Sequence, residues 1–538
     1  MNDLPLTQQI FHIGAGEAAP AAGADRLGVK AWNLAGMAAA GLRVPPAFVL
    51  TTDWYQAWHQ AGGALPTLGG ALVDHMRWLE QRSGSSFGGL RRPLLVSVRS
   101  GAPVSMPGML ETLLNIGLCD ATTAGVLRTT GNPRLVWDSY RRLVRSYAEV
   151  VHAAPADSFE DLTVQHLAAA GVATPAEFDF HALRALTRES LELFRAVTGQ
   201  EFPQNPQDQL QGAVLAILGS WDSGKAATFR RLNDIPEGLG TAVTVQAMVF
   251  GNSGGTSGSG VAFSRDPATG EKRLYVDFQF NSQGEDLVSG RHALGDLDLF
   301  ERCMPTLAAE VQEAATVLEA AFGDMQEFEF TIEEGVLYLL QTRSGKRTPW
   351  AAVVVAVEQV REGQIDPARA LERLAGLDLE AVGRRHLALR PGDMPLAHAL
   401  TASPGVASGC IALSLAAAQA LHQAGRPVIL VRTEMATQDL AGIALANGVL
   451  SVRGGRTAHA AVVARQLDKV CLVGCNSLHV EAKRGYLQFA NGEVLAEGEL
   501  ITLDGDSGEV WRGEYETLIE RPEAWLADLR RWRDGPSR

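Results

Sequence analysis

One histidine of this chain occupies a position where it could carry a phosphoryl group. The segment GGRTAHAAVVAR (454–465) follows a predicted strand, with Thr457 at the expected helix N-cap and His459 in the first turn of an Ala- and Val-rich helix. Unpaired N–H groups and the positive end of the helix dipole would stabilise a phosphoryl group on a ring nitrogen there. The alternative, from the residues alone, is an ordinary exposed histidine near a helix start.

Four polar side chains on a predicted hairpin suit Mg²⁺ and phosphate. The runs EFEFTI (327–332) and VLYLLQTR (336–343) flank a Glu-Glu-Gly turn. Because side chains alternate faces along a strand, a turn centred on Glu334 places four of them on one side: Glu327, Glu329, Gln341 and Arg343. Carboxylate and amide oxygens suit Mg²⁺, and a guanidinium suits phosphate. The alternative is a solvated sheet face with a cross-strand ion pair.

Three further features could contact phosphate. The Gly/Ser-rich segment GNSGGTSGSG (251–260) is predicted to be a loop between two strands, and its N–H groups could surround an anion. It does not end in Gly-Lys-Ser/Thr as a P-loop does, and it could equally be a flexible connector. Lys30 and Arg99 lie in Gly-containing segments, and each could reach a triphosphate or be an ordinary surface cation.

Composition excludes several classes of protein. The 538 residues have a net charge of −14 and are 46% hydrophobic, which argues against a general nucleic-acid binder and against wholesale disorder. No apolar stretch approaches the ~18–20 residues of a membrane span, and the N-terminus does not resemble a signal peptide. The five cysteines are scattered and show no zinc-like spacing. We therefore expect a soluble cytoplasmic protein that binds neither nucleic acid nor membrane, with about three or four domains.

The hydrophobic pattern predicts the elements that would position these residues. Strands are expected at 93–99, 243–250 and 274–280, and apolar residues recur three or four apart over about 120–240, which predicts helices. Residues 350–385 are also expected to be helical. Short strands and one helix, HAAVVARQL, follow from about residue 397.

Six segments resemble, in the same order along the chain, the phosphoenolpyruvate-utilising family, most closely enzymes of the pyruvate phosphate dikinase type. They are VSVRSGAPVSMPGMLETLLNIGL, AVTVQAMVFGN, SGSGVAFSRDPATGEK, NSQGEDLVSG, EFEFTIEEGVLYLLQTRSGKRT and GGRTAHAAVVAR. The resemblance implies an α/β multidomain protein with an ATP-grasp nucleotide-binding domain and a swivelling β/α phosphohistidine domain. The implied segments are 1–348 (ATP-grasp, with a helical insertion at about 120–240), 349–396 (helical linker), 397–512 (phosphohistidine domain) and 513–538 (C-terminal helical tail).

The resemblance also implies a reaction and its residues. In such enzymes ATP phosphorylates the histidine through a pyrophosphoryl intermediate and AMP is released; inorganic phosphate then takes one phosphoryl group, and pyruvate accepts the other at a separate C-terminal barrel. His459 is then the carrier, with Arg99 catalytic, and ATP and Mg²⁺ are the implied ligands. Lys30, Arg99 and Arg343 would contact the nucleotide phosphates, Glu329 and Gln341 would bind Mg²⁺ with Glu327 beside them, and Gly258, Ser259 and Gly260 would cover the γ-phosphate. Thr457 matches a position that a regulatory kinase phosphorylates in some members.

Several positions depart from the family pattern. The usual Gly-Gly-Lys-Gly-Ala-Asn-Leu is Gly-Val-Lys-Ala-Trp-Asn-Leu at 28–34, so two glycines are replaced around Lys30 and the backbone there should approach phosphate differently. Gly255 and Thr256 replace acidic residues, Glu327 stands where Asp is usual, and Ala458 replaces the usual Ser.

Nothing after the segment DGDSGEV resembles the family's pyruvate-binding barrel. We therefore expect the chain to phosphorylate its own histidine and to need a separate barrel subunit for pyruvate. Two alternatives stay open: the same reaction with a different small-molecule or protein acceptor, and a degenerate nucleotide-binding module with a regulatory role.

Overall fold

The computed structural model describes residues 5–104, 106, 109–284, 297–390, 392–435, 439–454 and 459–534. The chain folds as two compact units, one made of residues 1–255 with 338–342 and the other of 256–337 with 343–538. The four segments implied by the resemblance divide the chain at other places, and that division stays a prediction. Each unit is described by itself below.

The first unit contains an antiparallel five-stranded sheet and a set of helices. Its strands are β1 (Ile10–Ile13), β2 (Ala47–Leu50), β3 (Ser86–Phe87), β4 (Pro93–Leu94), β5 (Val96–Gly101), β6 (Thr112–Ile116) and β7 (Ala242–Ala247). Its helices are α1 (Ala24–Ala39), α2 (Thr52–Gln60), α3 (Leu68–Ser83), α4 (Asp120–Thr130), α5 (Pro133–His152), α6 (Ala156–Ala170), α7 (Phe180–Thr198), α8 (Pro206–Gly219) and α9 (Gly224–Leu232). The sheet order is β1-β2-β7-β5-β6, and β3 pairs with β4.

The helices of this unit begin where the side chains predict. Asn132 accepts a hydrogen bond from the N–H of Leu135 and precedes Pro133, which already has the backbone angle of a first helical residue. Asp179 caps α7 in the same way. The apolar faces of α5 and α8 pack in one core with the Val-rich strands β5 and β7, so these helices fix the sheet that holds Arg99.

The second unit contains the remaining elements. Its strands are β8 (Gly258–Phe263), β9 (Tyr275–Phe280), β10 (Gln326–Glu333), β11 (Val336–Ser344), β12 (Arg384–Leu387), β13 (Ala397–His398), β14 (Leu400–Ser403), β15 (Val406–Ala412), β16 (Val428–Arg432), β17 (Gly448–Ser451), β18 (Val470–Val473), β19 (Leu478–Glu481), β20 (Tyr486–Phe489), β21 (Val494–Ala496), β22 (Leu500–Asp504), β23 (Glu509–Arg512) and β24 (Thr517–Glu520). Its helices are α10 (Leu297–Cys303), α11 (Pro305–Phe322), α12 (Pro349–Arg361), α13 (Pro367–Arg373), α14 (Leu415–Gln423), α15 (Leu440–Leu445), α16 (His459–Gln466) and α17 (Glu523–Asp534). Among the described helices, none is both long and apolar enough to cross a membrane.

Two larger sheets organise the second unit. The first has the order β11-β10-β8-β9. The second, which we call the carrier sheet, has eight strands in the order β13-β23-β22-β15-β16-β17-β18-β14, and its strands β15 to β18 run parallel. Helix α16 connects β17 to β18 and packs on the carrier sheet, as a crossover between parallel strands requires.

The prediction of a helix over 350–385 is wrong beyond Arg373. Residues 384–387 form β12, which pairs antiparallel with β24 at the other end of the second unit. Helices α12, α13 and the tail helix α17 share a small core that includes Val353, Val357, Leu526 and Leu529. Residues of the predicted linker and tail therefore pack together across about 130 to 170 residues of sequence, a pairing that local periodicity cannot reveal.

A buried ion pair fixes the end of β8. The Arg265 side chain is fully buried, and its Nη2 lies 2.9 Å from Glu319 Oε2 on α11 and 2.8 Å from Glu362 Oε2 just after α12. Burial alone would lower the pKa of Arg265, but the two carboxylates outweigh it and raise the pKa. Ser264 donates from Oγ to Glu319 Oε1 and accepts at Oγ from the N–H of Gln326, the first residue of β10.

Glu319→Ala leaves the Arg265 guanidinium buried without its main partner. Because breaking a buried pair on one side costs about 3–5 kcal/mol, we expect a loss of roughly that size in the free energy of unfolding, measured by urea denaturation. The matched control is Glu313→Ala on the exposed side of the same helix, for which we expect a change below about 0.5 kcal/mol. Equal losses in the two variants would contradict the role of the pair.

Candidate functional site

Arg99 lies on β5, an interior strand of the first unit's sheet. It pairs with Thr244 of β7 on one side and with Thr112 of β6 on the other. The Arg99 Nε and Thr244 Oγ1 atoms are buried, and neither has a hydrogen-bond partner among the described residues. Buried polar atoms are normally satisfied, so this pair marks a place on the sheet that suits an anionic ligand.

Helix α1 brings Lys30 to the end of the same strand. Gly28 has φ of 75°, and a Cβ there would lie 2.0 Å from the carbonyl oxygen of Gly101, the last residue of β5. The next residue, Val29, donates its N–H to the carbonyl of Ala102 over 3.0 Å. Lys30 follows on the exposed side of the helix. The Val29 N–H is thus used within the protein and is not directed at a phosphate.

The first unit also includes the middle of β11. The Asn33 Nδ2 atom donates to the carbonyl oxygen of Thr342 over 2.8 Å, and the Leu339 N–H donates to the carbonyl of Arg43 over 2.9 Å. Gln341, the predicted Mg²⁺ ligand, lies in this segment with its side chain half-buried.

The hairpin of β10 and β11 carries a cluster of charged side chains in the second unit. Arg343 forms an ion pair with Glu327, which is buried rather than solvated, and Glu329 lies close enough to interact with the same guanidinium. Burial alone would lower the pKa of Arg343, but the carboxylates of Glu327 and Glu329 outweigh it and raise the pKa. Gln341 precedes Arg343 by two residues and so points to the same face of β11.

Lys346 belongs to this cluster and was missed by the sequence reasoning. It is half-buried two residues after β11 ends, and burial together with the positive charge of Arg343 lowers its pKa, against the opposing effect of Glu327. The signal that could have found it is the basic run Lys346-Arg347 directly after the predicted strand.

The prediction that the Gly/Ser-rich loop extends to residue 260 is wrong. Gly258, Ser259 and Gly260 are buried in β8, which has β10 on one side and β9 on the other. A Cβ at Gly258 or Gly260 would lie 2.2 Å from the ring of Phe278 or Phe330, so these glycines make room for aromatic side chains. Since both edges of β8 are paired, the backbone N–H groups of the three residues serve the sheet. Their predicted contact with the γ-phosphate stays a prediction.

His459 is the first residue of α16, within the predicted first turn. The side chain of His459 and all of Thr457 lie outside the described residues. The far end of the helix is held by Arg465, which is buried and donates from Nε and Nη2 to the carbonyl oxygen of Ala402, over 3.0 and 2.6 Å. Ala461 and Ala464 pack in the core beneath the helix, so its register on the carrier sheet is fixed.

Each unit, taken by itself, has groups that fit ATP or Mg²⁺. In the first unit Arg99 offers a buried donor with no partner among the described residues, and Gln341 offers an amide oxygen. In the second unit Glu329 offers a carboxylate of the kind that Mg²⁺ prefers. Arg343 and Lys346 add positive charge suited to phosphate oxygens.

Comparison with known families identifies two domains of this chain. Residues 66–301 match the family described as "pyruvate phosphate dikinase, AMP/ATP-binding domain", and residues 424–508 match "PEP-utilising enzyme, mobile domain". The chain is thus a mixed α/β multidomain protein with an ATP-grasp-type nucleotide-binding domain and the mobile phosphohistidine domain of phosphoenolpyruvate-utilising enzymes. Both domains are of the pyruvate phosphate dikinase type, as the resemblance of the six segments implied.

Several curated relatives support this identification. The pyruvate, phosphate dikinase of Clostridium symbiosum is 42% identical over 496 residues, which are 91% of this chain and 56% of the relative. The enzyme of Rhizobium meliloti is 39% identical, with 99% of this chain and 61% of the relative covered. A maize relative named pyruvate, phosphate dikinase 1, chloroplastic, is 40% identical over 94% of this chain and 54% of its own length. The chain therefore spans little more than half the length of these relatives. The cytoplasmic location stays a prediction.

The contact of Gly28 with Gly101 predicts a sensitive position in the first unit. In Gly28→Ala the new methyl group must displace the β5 carbonyl and adopt a left-handed backbone, so we expect a loss of about 2 kcal/mol or more in unfolding free energy and weaker ATP binding by calorimetry. Gly70→Ala is the control, because Gly70 is in α3 with open space around it. Equal stability of the two variants would show that α1 does not depend on this approach.

Proposed function

We propose that this chain is an ATP-dependent phosphotransferase that phosphorylates its own His459 by the pyruvate phosphate dikinase reaction. A ring nitrogen of His459 takes the pyrophosphoryl group of ATP at the β-phosphorus, and AMP leaves. An oxygen of inorganic phosphate then takes the γ-phosphoryl group and leaves as pyrophosphate, so the β-phosphoryl group stays on the histidine. Bound Mg²⁺ would neutralise phosphate charge while Glu329 and Gln341 hold it in place.

The observation that carries the proposal is the cluster at the end of the β10–β11 hairpin. Glu327 and Glu329 face Arg343, and Lys346 has a lowered pKa beside them. An ordinary solvated sheet face would not bury Glu327 against a guanidinium, because removing charged groups from water costs free energy. The negative charge of a bound triphosphate would balance the cations of such a face, and the metal ion would balance its carboxylates.

The acceptor of the histidine's phosphoryl group is the finer part of the proposal. We propose pyruvate, because the relatives that match this chain are named pyruvate, phosphate dikinase. A different small molecule or protein is the second candidate, because the match covers only 56% and 61% of the length of those two relatives. The Val29 N–H, which is bonded to Ala102, favours the third candidate, a regulatory nucleotide-binding module with altered phosphate contacts.

Labelling with ATP tests the proposal. The full chain is incubated with Mg²⁺ and ATP labelled at the β- or γ-phosphate, with and without inorganic phosphate, and acid-labile label on the protein is measured. We expect β-label to attach in both conditions, and γ-label to attach only without inorganic phosphate and to appear in pyrophosphate when phosphate is added. His459→Ala should lose all label, whereas His479→Ala, an exposed histidine of the same domain, should be labelled like the wild type.

The outcomes separate the candidates. Label on His459→Ala at the wild-type level would contradict a carrier role for this histidine. No label on the wild type, with ATP binding intact, would favour the regulatory module. Label that does not pass to pyruvate when a barrel domain is added would favour a different acceptor.

A further inference from the structure

A pocket opens on the carrier sheet at the ends of two neighbouring parallel strands. It has a volume of about 280 Å³ and is lined by residues that include His398, Arg453, Gly454, Gly474 and Asn476. Gly454 follows β17, and Gly474 follows β18 directly. We call this the β17–β18 pocket. Since a water molecule takes about 30 Å³, it has room for a small ion together with several waters.

The charge of the pocket is positive although the whole protein is strongly acidic. Arg453 and His398 line it, and none of its described lining residues is a carboxylate. The Arg453 side chain is exposed, and no partner for its guanidinium lies among the described residues. His398 also faces Glu509, whose Oε1 lies 4.0 Å from His398 Nδ1. In a chain of net charge −14, the described lining residues include an arginine and a histidine and no carboxylate, which favours an anion as the ligand.

A buried hydroxyl next to the pocket has no partner among the described residues. Ser451, the last residue of β17, is 1% exposed, and its Oγ makes no hydrogen bond to any of them. This Oγ lies 3.8 Å from the place a Cβ would take on Gly454, which itself lines the pocket. An unsatisfied buried hydroxyl next to a pocket is a donor available for an oxyanion or for a water that bridges to one.

The position of the pocket in the sheet agrees with a ligand site. In open α/β sheets, ligands bind outside the carboxyl ends of the parallel strands, and the pocket lies at those ends of β17 and β18. Helix α16 begins at the same edge, because it follows β17 in a parallel crossover. His459 is five positions after Gly454 in the sequence, so their Cα atoms are at most about 18 Å apart.

We propose that the β17–β18 pocket binds a phosphate-type oxyanion, with Arg453 as the main charged donor and Ser451, Asn476 and His398 around it. The site goes beyond the proposed carrier reaction, because it lies wholly on the carrier sheet and needs neither ATP nor the nucleotide-binding residues. It gives the mobile domain an anion site of its own beside the start of the carrier helix. The ligand is free phosphate or the phosphate of an ester, which share this chemistry.

Equilibrium dialysis of the full chain with radiolabelled inorganic phosphate, at constant ionic strength, tests the site. The measurement uses an Arg99→Gln background, so that phosphate held at the predicted nucleotide site does not contribute. We expect saturable binding in this background, and about tenfold or more weaker binding when Arg453→Gln is added, because a charge-assisted donor is lost. Arg484→Gln is the matched control: it removes the same charge from an exposed arginine of the same domain that does not line the pocket.

A second variant and a competitor complete the test. Ser451→Ala removes the buried hydroxyl without a change of charge and should weaken phosphate binding less than Arg453→Gln. Methyl phosphate that displaces the label at similar concentration supports a phosphate ester as the ligand, and failure to displace it supports free phosphate. Absence of saturable binding, or equal affinity in Arg453→Gln and Arg484→Gln, would overturn the site. Neither result bears on the labelling of His459 by ATP, so the two proposals fail separately.

Discussion

The end of strand β8 is the point on which the second unit depends. Within three residues, Phe263 lies under the guanidinium of Arg465, Ser264 exchanges hydrogen bonds with the first residue of β10, and Arg265 is buried against Glu319. A fully buried guanidinium tolerates little displacement, because any movement leaves a charge without its partner in a medium of low dielectric constant. The hairpin with the charged cluster therefore starts from a fixed position.

Protonation of Lys346 and binding of a phosphate group to the charged cluster are expected to favour each other. Burial and the nearby Arg343 guanidinium lower the pKa of Lys346, so the protein alone makes its ammonium form less favourable. A phosphate group near Lys346 would act in the opposite direction and favour that charged form. Thermodynamic linkage then requires that the protonated lysine bind phosphate more tightly by the same factor. Burial of Lys346 in the cluster therefore couples its protonation to the binding of an anion.

The sequence patterns predicted the elements whose information is local. The hairpin around Glu334, the helices between 120 and 240 and the helix start at His459 all follow from spacing and capping within a few residues. The errors came where contacts with residues far away in the sequence determine the structure. Gly258 and Gly260 look like loop residues, yet they are in β8 because Phe278 and Phe330 from other strands fill the space that a side chain would need. The strand β12 is paired with β24, far along the chain, and Lys346 is grouped with Arg343 and Glu327 by electrostatic contacts that the sequence pattern does not show.

The carrier sheet has hydrophobic cores of its own. Its two faces are covered by elements of the same domain: α14, α15 and α16 contribute to one core and β19 to β21 to the other. Two contacts with β8 and β9 are weak enough to break at low cost. Tyr275 donates a hydrogen bond from its hydroxyl to the carbonyl of Thr401 over 3.2 Å, and the Arg465 guanidinium lies 5.7 Å from the Phe263 ring.

Each of these two interactions is worth about 1 kcal/mol, because water replaces the hydrogen bond and screens the cation when they separate. Arg465 keeps its hydrogen bonds to Ala402 in either position, since both residues belong to the carrier sheet and its helix. The register of α16 is therefore independent of the contact with β8. A mobile phosphohistidine domain needs a carrier helix that is held tightly by its own sheet, and the Arg465 hydrogen bonds to Ala402 provide this.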